Sequence, residues 1–113
     1  MRCSGLSVAG AFHSEHMAPA AEGLAQVLEN VDLRAPSVPV WSNVTAQPHS
    51  SESSTIRANL VAQLTSPVRW AESCKNFSAA GTLGFHESAP GTVLRGLMRR
   101  IDRERKVTSH DEP

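Results

Sequence analysis

The chain carries five histidines, at positions 13, 16, 49, 86 and 110. His13 differs from the others in placement. The short apolar run Ser7 to Phe12 reads as a buried strand, and a helical pattern begins just after the His-Ser pair. His13 therefore ends a strand and opens a loop, a position from which α/β enzymes project catalytic groups. His16 lies in the first turn beyond it, His49 in a serine-rich loop, His86 in a strand-like run and His110 in a polar tail. His13-x-x-His16 has the spacing of half a metal site, but no Cys, His or carboxylate cluster completes it, so no metal is expected.

A histidine acting as general base needs a nucleophile within hydrogen-bond reach and a partner for its other ring nitrogen. Gly5-Leu6-Ser7-Val8-Ala9 superficially resembles the Gly-x-Ser-x-Gly nucleophile elbow, which requires a strand before the serine and a helix after it. Ser7 has too little chain before it to form that strand, and the residues after it read as strand. It would also share a strand with His13 and point along it rather than across at the imidazole. The sequence thus offers a base without its serine.

The elements that must position His13 follow from periodicity and punctuation. Met17, Ala20, Ala21, Leu24, Val27, Leu28 and Val31 recur at helical spacing, with Pro19 suited to the first turn. Val38 to Val44, bounded by Pro36 and Pro48, reads as a second strand. Ile56, Leu60 and Leu64 share one side of a short helix after a serine-rich stretch. Arg69 to Ala80 predicts another, with Trp70, Cys74 and Phe77 inward and Gly81 as its left-handed stop. A strand over Leu83 to Ala89, a turn at Pro90-Gly91 and a helix carrying Val93, Leu94, Leu97, Met98 and Ile101 complete the order. Such alternation is the mark of α/β architecture with partly parallel strands. Thr108 to Pro113 is expected to fray.

Lys+Arg and Asp+Glu balance at 11 each over 113 residues, which removes the electrostatic footprint of a nucleic-acid or anionic-membrane binder. The basic stretch Arg95 to Lys106 is broken by Asp102 and Glu104 and reads as a solvated helix end. No run is long and apolar enough to span a membrane and no signal peptide precedes the first strand, so a cytoplasmic location is expected. Cys3 and Cys74, lacking CxxC spacing, read as free thiols.

Four segments together carry a family resemblance. Val8-Ala9-Gly10-Ala11-Phe12-His13-Ser14, continued by Met17-x-Pro19-Ala20-Ala21, resembles the histidine segment of the malonyl-CoA:acyl carrier protein transacylases. Val38-Pro39-Val40-Trp41-Ser42-Asn43-Val44 is similar to that family's Val-Pro-Val-x-Ser-Asn-Val strand. Gln63-Leu64-Thr65-Ser66-Pro67-Val68-Arg69-Trp70 is close to its Gln-Leu-x-x-Pro-Val-x-Trp motif. Glu87-Ser88-Ala89-Pro90-Gly91-Thr92-Val93-Leu94 resembles its closing Glu-x-Gly-Pro-Gly-x-Val-Leu, departing from it at Ser88 and Ala89. Acyltransferase domains of polyketide and fatty acid synthases share the fold and several of these motifs.

The resemblance implies the C-terminal part of a hydrolase-like α/β acyltransferase domain over residues 1–107. The last strand of the ferredoxin-like small subdomain would lie at about 6–12, and a disordered tail at 108–113. It implies transfer of malonyl from coenzyme A to the phosphopantetheine thiol of acyl carrier protein, in fatty acid or polyketide synthesis, with no cofactor beyond the substrate malonyl-CoA. His13 would be the catalytic base, and Gln63 would orient it through its backbone carbonyl. Phe12 and Asn43 would lie against substrate, the Phe12 ring leaving no room for an α-methyl branch. The family's serine elbow, oxyanion-hole amides and carboxylate-binding arginine lie upstream of the matched region, and Arg57 and Arg69 match structural positions instead. The chain alone is therefore expected to be inactive. It would be a truncated enzyme, or else a non-catalytic module that binds acyl carrier protein or a separate N-terminal half. Apolar helix faces are expected to be left without their partner strands.

Overall fold

The computed structural model describes residues 8–82, 84–88 and 90–110. Contacts divide the chain into two compact units, Met1–Val68 and Arg69–Pro113.

In the first unit, a short 3-10 turn over Glu15–Met17 leads into α1, Ala18–Glu29, with Pro19 at its start, where a missing N–H costs nothing. α2, Ser53–Ala62, packs against α1. The two helices bury Leu28 and Ile56, and Ala21, Leu24 and Leu60 are half-buried. Arg57 staples them: its Nε donates to the Leu28 carbonyl at 2.7 Å and its guanidinium NH2 to that of Val31 at 3.2 Å. The two carbonyls lie in the last turn of α1 and just beyond it, and that of Leu28 also accepts the Val31 amide at 3.2 Å. The expected α1 stripe is only partly covered, since Val27 and Val31 face solvent.

Two expected strands do not form here. Residues 8–12 run as exposed loop, while the remainder of the strand expected at 6–12 lies outside the described residues. The strand expected at Val38 to Val44 is reduced to a single antiparallel bridge between Trp41 and Pro48, flanking a turn. A strand persists only where a neighbour takes its backbone hydrogen bonds; residues 8–12 run as loop, and beside 38–44 only the short stretch 47–49 pairs among the described residues, through the amides of Ser42 and His49.

The second unit holds α3, Trp70–Ala79, then β1, Phe85–Glu87, α4, Val93–Ile101, and β2, Val107–Ser109. β1 and β2 pair in parallel, with Phe85 opposite Val107 and Glu87 opposite Ser109. Parallel neighbours require a crossover, and α4 supplies it, making a βαβ unit. Gly81 at φ +80 stops α3, and Gly91 at φ +87 turns the chain before α4, both in the left-handed region that glycine enters without a side-chain clash. Cys74 and Met98 are buried where α3 and α4 pack, and burial pushes the Cys74 thiol above its usual value. Val93, Leu94 and Leu97 of the expected α4 stripe are exposed.

The tail expectation needs correction. Thr108 and Ser109 belong to β2, and the amide of His110 donates to the Glu87 carbonyl at 2.8 Å. The ladder to β1 outweighs the polarity of these residues. Residues 111–113 lie outside the described residues, as do Cys3, Ser7, Leu83 and Ala89.

Candidate active site

His13 sits where the chain reverses between the loop at 8–11 and the 3-10 turn. The Ser14 hydroxyl donates to the Ala11 carbonyl at 2.6 Å, and the Met17 amide to the Ser14 carbonyl at 3.0 Å. His13 itself takes φ +59. A residue with a Cβ in that region costs roughly 1–2 kcal/mol, and such positions concentrate at functional sites. One strong contact accompanies the strain: His13 Nδ1 lies 2.7 Å from the backbone carbonyl oxygen of Gln63.

Helix geometry makes that carbonyl available. Gln63 caps the C-terminus of α2, its amide donating to the Asn59 carbonyl at 3.1 Å. The following amides of Leu64 and Thr65 turn back to Val61 and Ala62, leaving the Gln63 oxygen for an outside donor. A carbonyl can only accept, so Nδ1 must carry the hydrogen, and in the neutral ring the lone pair then resides on Nε2. Among the described residues no hydrogen bond reaches Nε2, and the imidazole is exposed.

Asn43 joins the same group from the turn over residues 42–47. Buried Ser42 organises this turn. Its Oγ accepts the amides of Val44 and Thr45 at 3.2 and 3.4 Å, and its carbonyl accepts the Ala46 amide at 3.0 Å. From it the Asn43 Nδ2 donates to the Gln63 Oε1 at 3.3 Å. Asn43 thus fixes the side chain of the residue whose backbone holds His13. Phe12 is 58% exposed, so it is not core in this chain. Its ring folds back beside Gly10, where an added Cβ would stand 3.6 Å from it. Of the residues singled out in the sequence, the structure links His13, Gln63 and Asn43 by hydrogen bonds and leaves Phe12 beside them in the chain. Arg57 is committed to α1, and Arg69 to a two-pronged pair with Glu72, Nε to Oε2 at 2.9 Å and NH2 to Oε1 at 2.6 Å.

Sequence reasoning missed the second polar centre, built on Glu87. This buried carboxylate receives the amides of Leu94 at 2.7 Å and Arg95 at 3.1 Å, capping α4, and the Ser109 hydroxyl at 3.1 Å. Burial alone would raise the carboxyl's pKa; the two amides, the hydroxyl and the Arg95 charge outweigh it and hold the group below the usual carboxylate range. A carboxylate so fully engaged serves the fold, tying β1, β2 and the start of α4 together. The signal in the sequence was a glutamate standing ahead of a Pro-Gly turn and a helix start; the N-cap residue Thr92 makes no side-chain cap bond in the structure.

No protein-family model matches the chain. It is similar to the malonyl CoA-acyl carrier protein transacylase of Bacillus subtilis (strain 168), 44% identical over 108 residues, covering 96% of this chain and 34% of that protein. It is also similar to the polyketide biosynthesis protein ThaF of Burkholderia thailandensis, 40% identical over 96 residues, covering 85% of this chain and 8% of that one. Among solved structures it matches a malonyl-transacylase in complex with its type II PKS acyl-carrier protein, with a TM-score of 0.90 and 35% identity. That match covers 96% of this chain and 35% of the other. The chain thus spans about a third of the length of the first relative.

Proposed function

Because this chain is a homologue of the malonyl CoA-acyl carrier protein transacylases, corresponding to a C-terminal part of their α/β fold, we propose that it supplies the general base of a malonyl transfer. Malonyl passes from coenzyme A to the phosphopantetheine thiol of acyl carrier protein. The observation that carries this reading is the 2.7 Å contact between His13 Nδ1 and the Gln63 carbonyl, which leaves Nε2 as the proton acceptor. A carbonyl in this place does the orienting work of the aspartate in a triad.

The serine belongs to residues outside this chain. As its oxygen attacks the malonyl thioester carbon, its proton passes to His13 Nε2. The thioester bond then breaks, and the imidazolium returns the proton to the departing coenzyme A sulfur. In the second half the carrier thiol gives its proton to Nε2 and attacks the serine ester, and the serine oxygen takes the proton back as it leaves. Phe12 beside the histidine would exclude an α-methyl branch, a discrimination of about 1–3 kcal/mol for one methyl. The likeness to a polyketide protein supports service in polyketide as well as fatty acid synthesis.

Exposed Val27, Val31, Val93, Leu94 and Leu97 support a further part of this reading. These are positions on helix stripes that would be covered by the two-thirds of the fold that the relative has and this chain does not match.

The test is a chimera in which this chain replaces the matching segment of the Bacillus subtilis transacylase. The chimera is expected to transfer malonyl from malonyl-CoA to acyl carrier protein, while this chain alone does not. His13→Ala in the chimera should cost about 10²–10⁴ in rate. A folded chimera whose transfer survives His13→Ala would overturn the assignment.

A further inference from the structure

His86 and His110, both exposed, meet in the second unit. His86 Nδ1 and His110 Nε2 are 2.8 Å apart, with ring centroids 5.1 Å apart and planes 23° from parallel. So short a nitrogen separation against so long a centroid separation puts the two nitrogens between the rings, edge to edge rather than ring over ring. The backbone fixes both residues. His86 pairs with Thr108 in the ladder, the His110 amide is bonded to the Glu87 carbonyl, and strand alternation brings 108 and 110 to the same face.

We propose that His86 Nδ1 and His110 Nε2 form a two-imidazole clamp for a divalent late-transition-metal ion of the zinc, nickel or copper class. Neutral imidazole is the ligand these ions share. Metal–nitrogen bonds of about 2.0–2.1 Å at a tetrahedral angle set the nitrogens about 3.3 Å apart, a small opening from 2.8 Å for two exposed rings. In the neutral pair the bridging proton moves to the other nitrogen of its own ring, freeing both lone pairs; from a singly charged pair one proton leaves to solvent. Among the described residues no group of three or more His, Cys, Asp or Glu forms, so water fills the remaining positions and the ion stays exchangeable. None of the residues assigned to malonyl transfer takes part.

Calorimetric titration of the full 113-residue chain with zinc chloride near neutral pH tests the clamp. One equivalent should bind, with copper tighter than zinc or nickel, and the ring signals of His86 and His110 should shift in NMR spectra. His110→Gln and His86→Gln should each weaken binding at least tenfold, while His16→Ala and His49→Ala leave it unchanged. His110 follows the last residue of β2, so its variant keeps the ladder intact even if His86→Gln misfolds. Absence of binding at millimolar zinc, or binding that His110→Gln leaves intact, would overturn the proposal.

Discussion

Glu87 ends β1 and His13 lies in the loop ahead of the 3-10 turn, and the protein treats them in opposite ways. Glu87 is buried, and its carboxylate is consumed by two amides and a hydroxyl. His13 is exposed, strained at φ +59, and held through one ring nitrogen by one backbone oxygen. The first arrangement stabilises and leaves no capacity for chemistry. The second fixes a ring's direction and leaves its other nitrogen open. A polar group's availability therefore depends on how many of its bonding positions the fold has already taken.

Substitution should separate the two on one stability scale. Glu87→Ala removes the cap of α4 and empties a buried position that now ties two part-buried amides and the Ser109 hydroxyl, so the second unit should melt several degrees lower. His13→Ala loses one exposed hydrogen bond and should cost no more than about 1 kcal/mol. Thermal unfolding followed by circular dichroism reads both, and equal losses would break the contrast.

The pH response should sharpen it. The Glu87 carboxyl is held below its unfolded value, so its contribution to stability is present above that value and is lost as pH falls through the lower folded one. Glu87→Gln should flatten this acid limb of the denaturation midpoint against pH, and an unaltered limb would count against the cap. A smaller effect is expected at Gln63. Gln63→Ala keeps the carbonyl that holds His13 and loses only the Asn43 contact, costing about 0.5–1.5 kcal/mol in urea denaturation, with less than a tenfold change in the chimera's transfer rate.

Helices were legible because their cores are local. Periodicity located the four α-helices among the described residues, and Pro19 and Gly81 marked a start and a stop that the structure retains. Strands were not, because a strand depends on its neighbour. Val38 to Val44 has the composition of a strand and finds only the Trp41 bridge, while Thr108 and Ser109 look like a tail and pair with β1. The signal of β2 was a β-branched pair at crossover distance from Phe85. In the candidate site, placement singled out His13, but only family resemblance pointed to Gln63, since no side-chain pattern reveals a backbone carbonyl. The carboxylate–amide contacts of Glu87 span seven and eight positions across a turn and the pairing of His86 with His110 spans twenty-four, and neither leaves a periodic trace.

The central claim is that the Gln63 carbonyl fixes the proton of His13 on Nδ1 and frees Nε2 to act as base. Nitrogen-15 NMR of the imidazole in this chain, at a pH where the ring is neutral, measures that directly. The Nδ1–H tautomer should dominate in the chain and in Gln63→Ala alike. A dominant Nε2–H tautomer would contradict the account, because the nitrogen assigned to take the serine proton would already carry one.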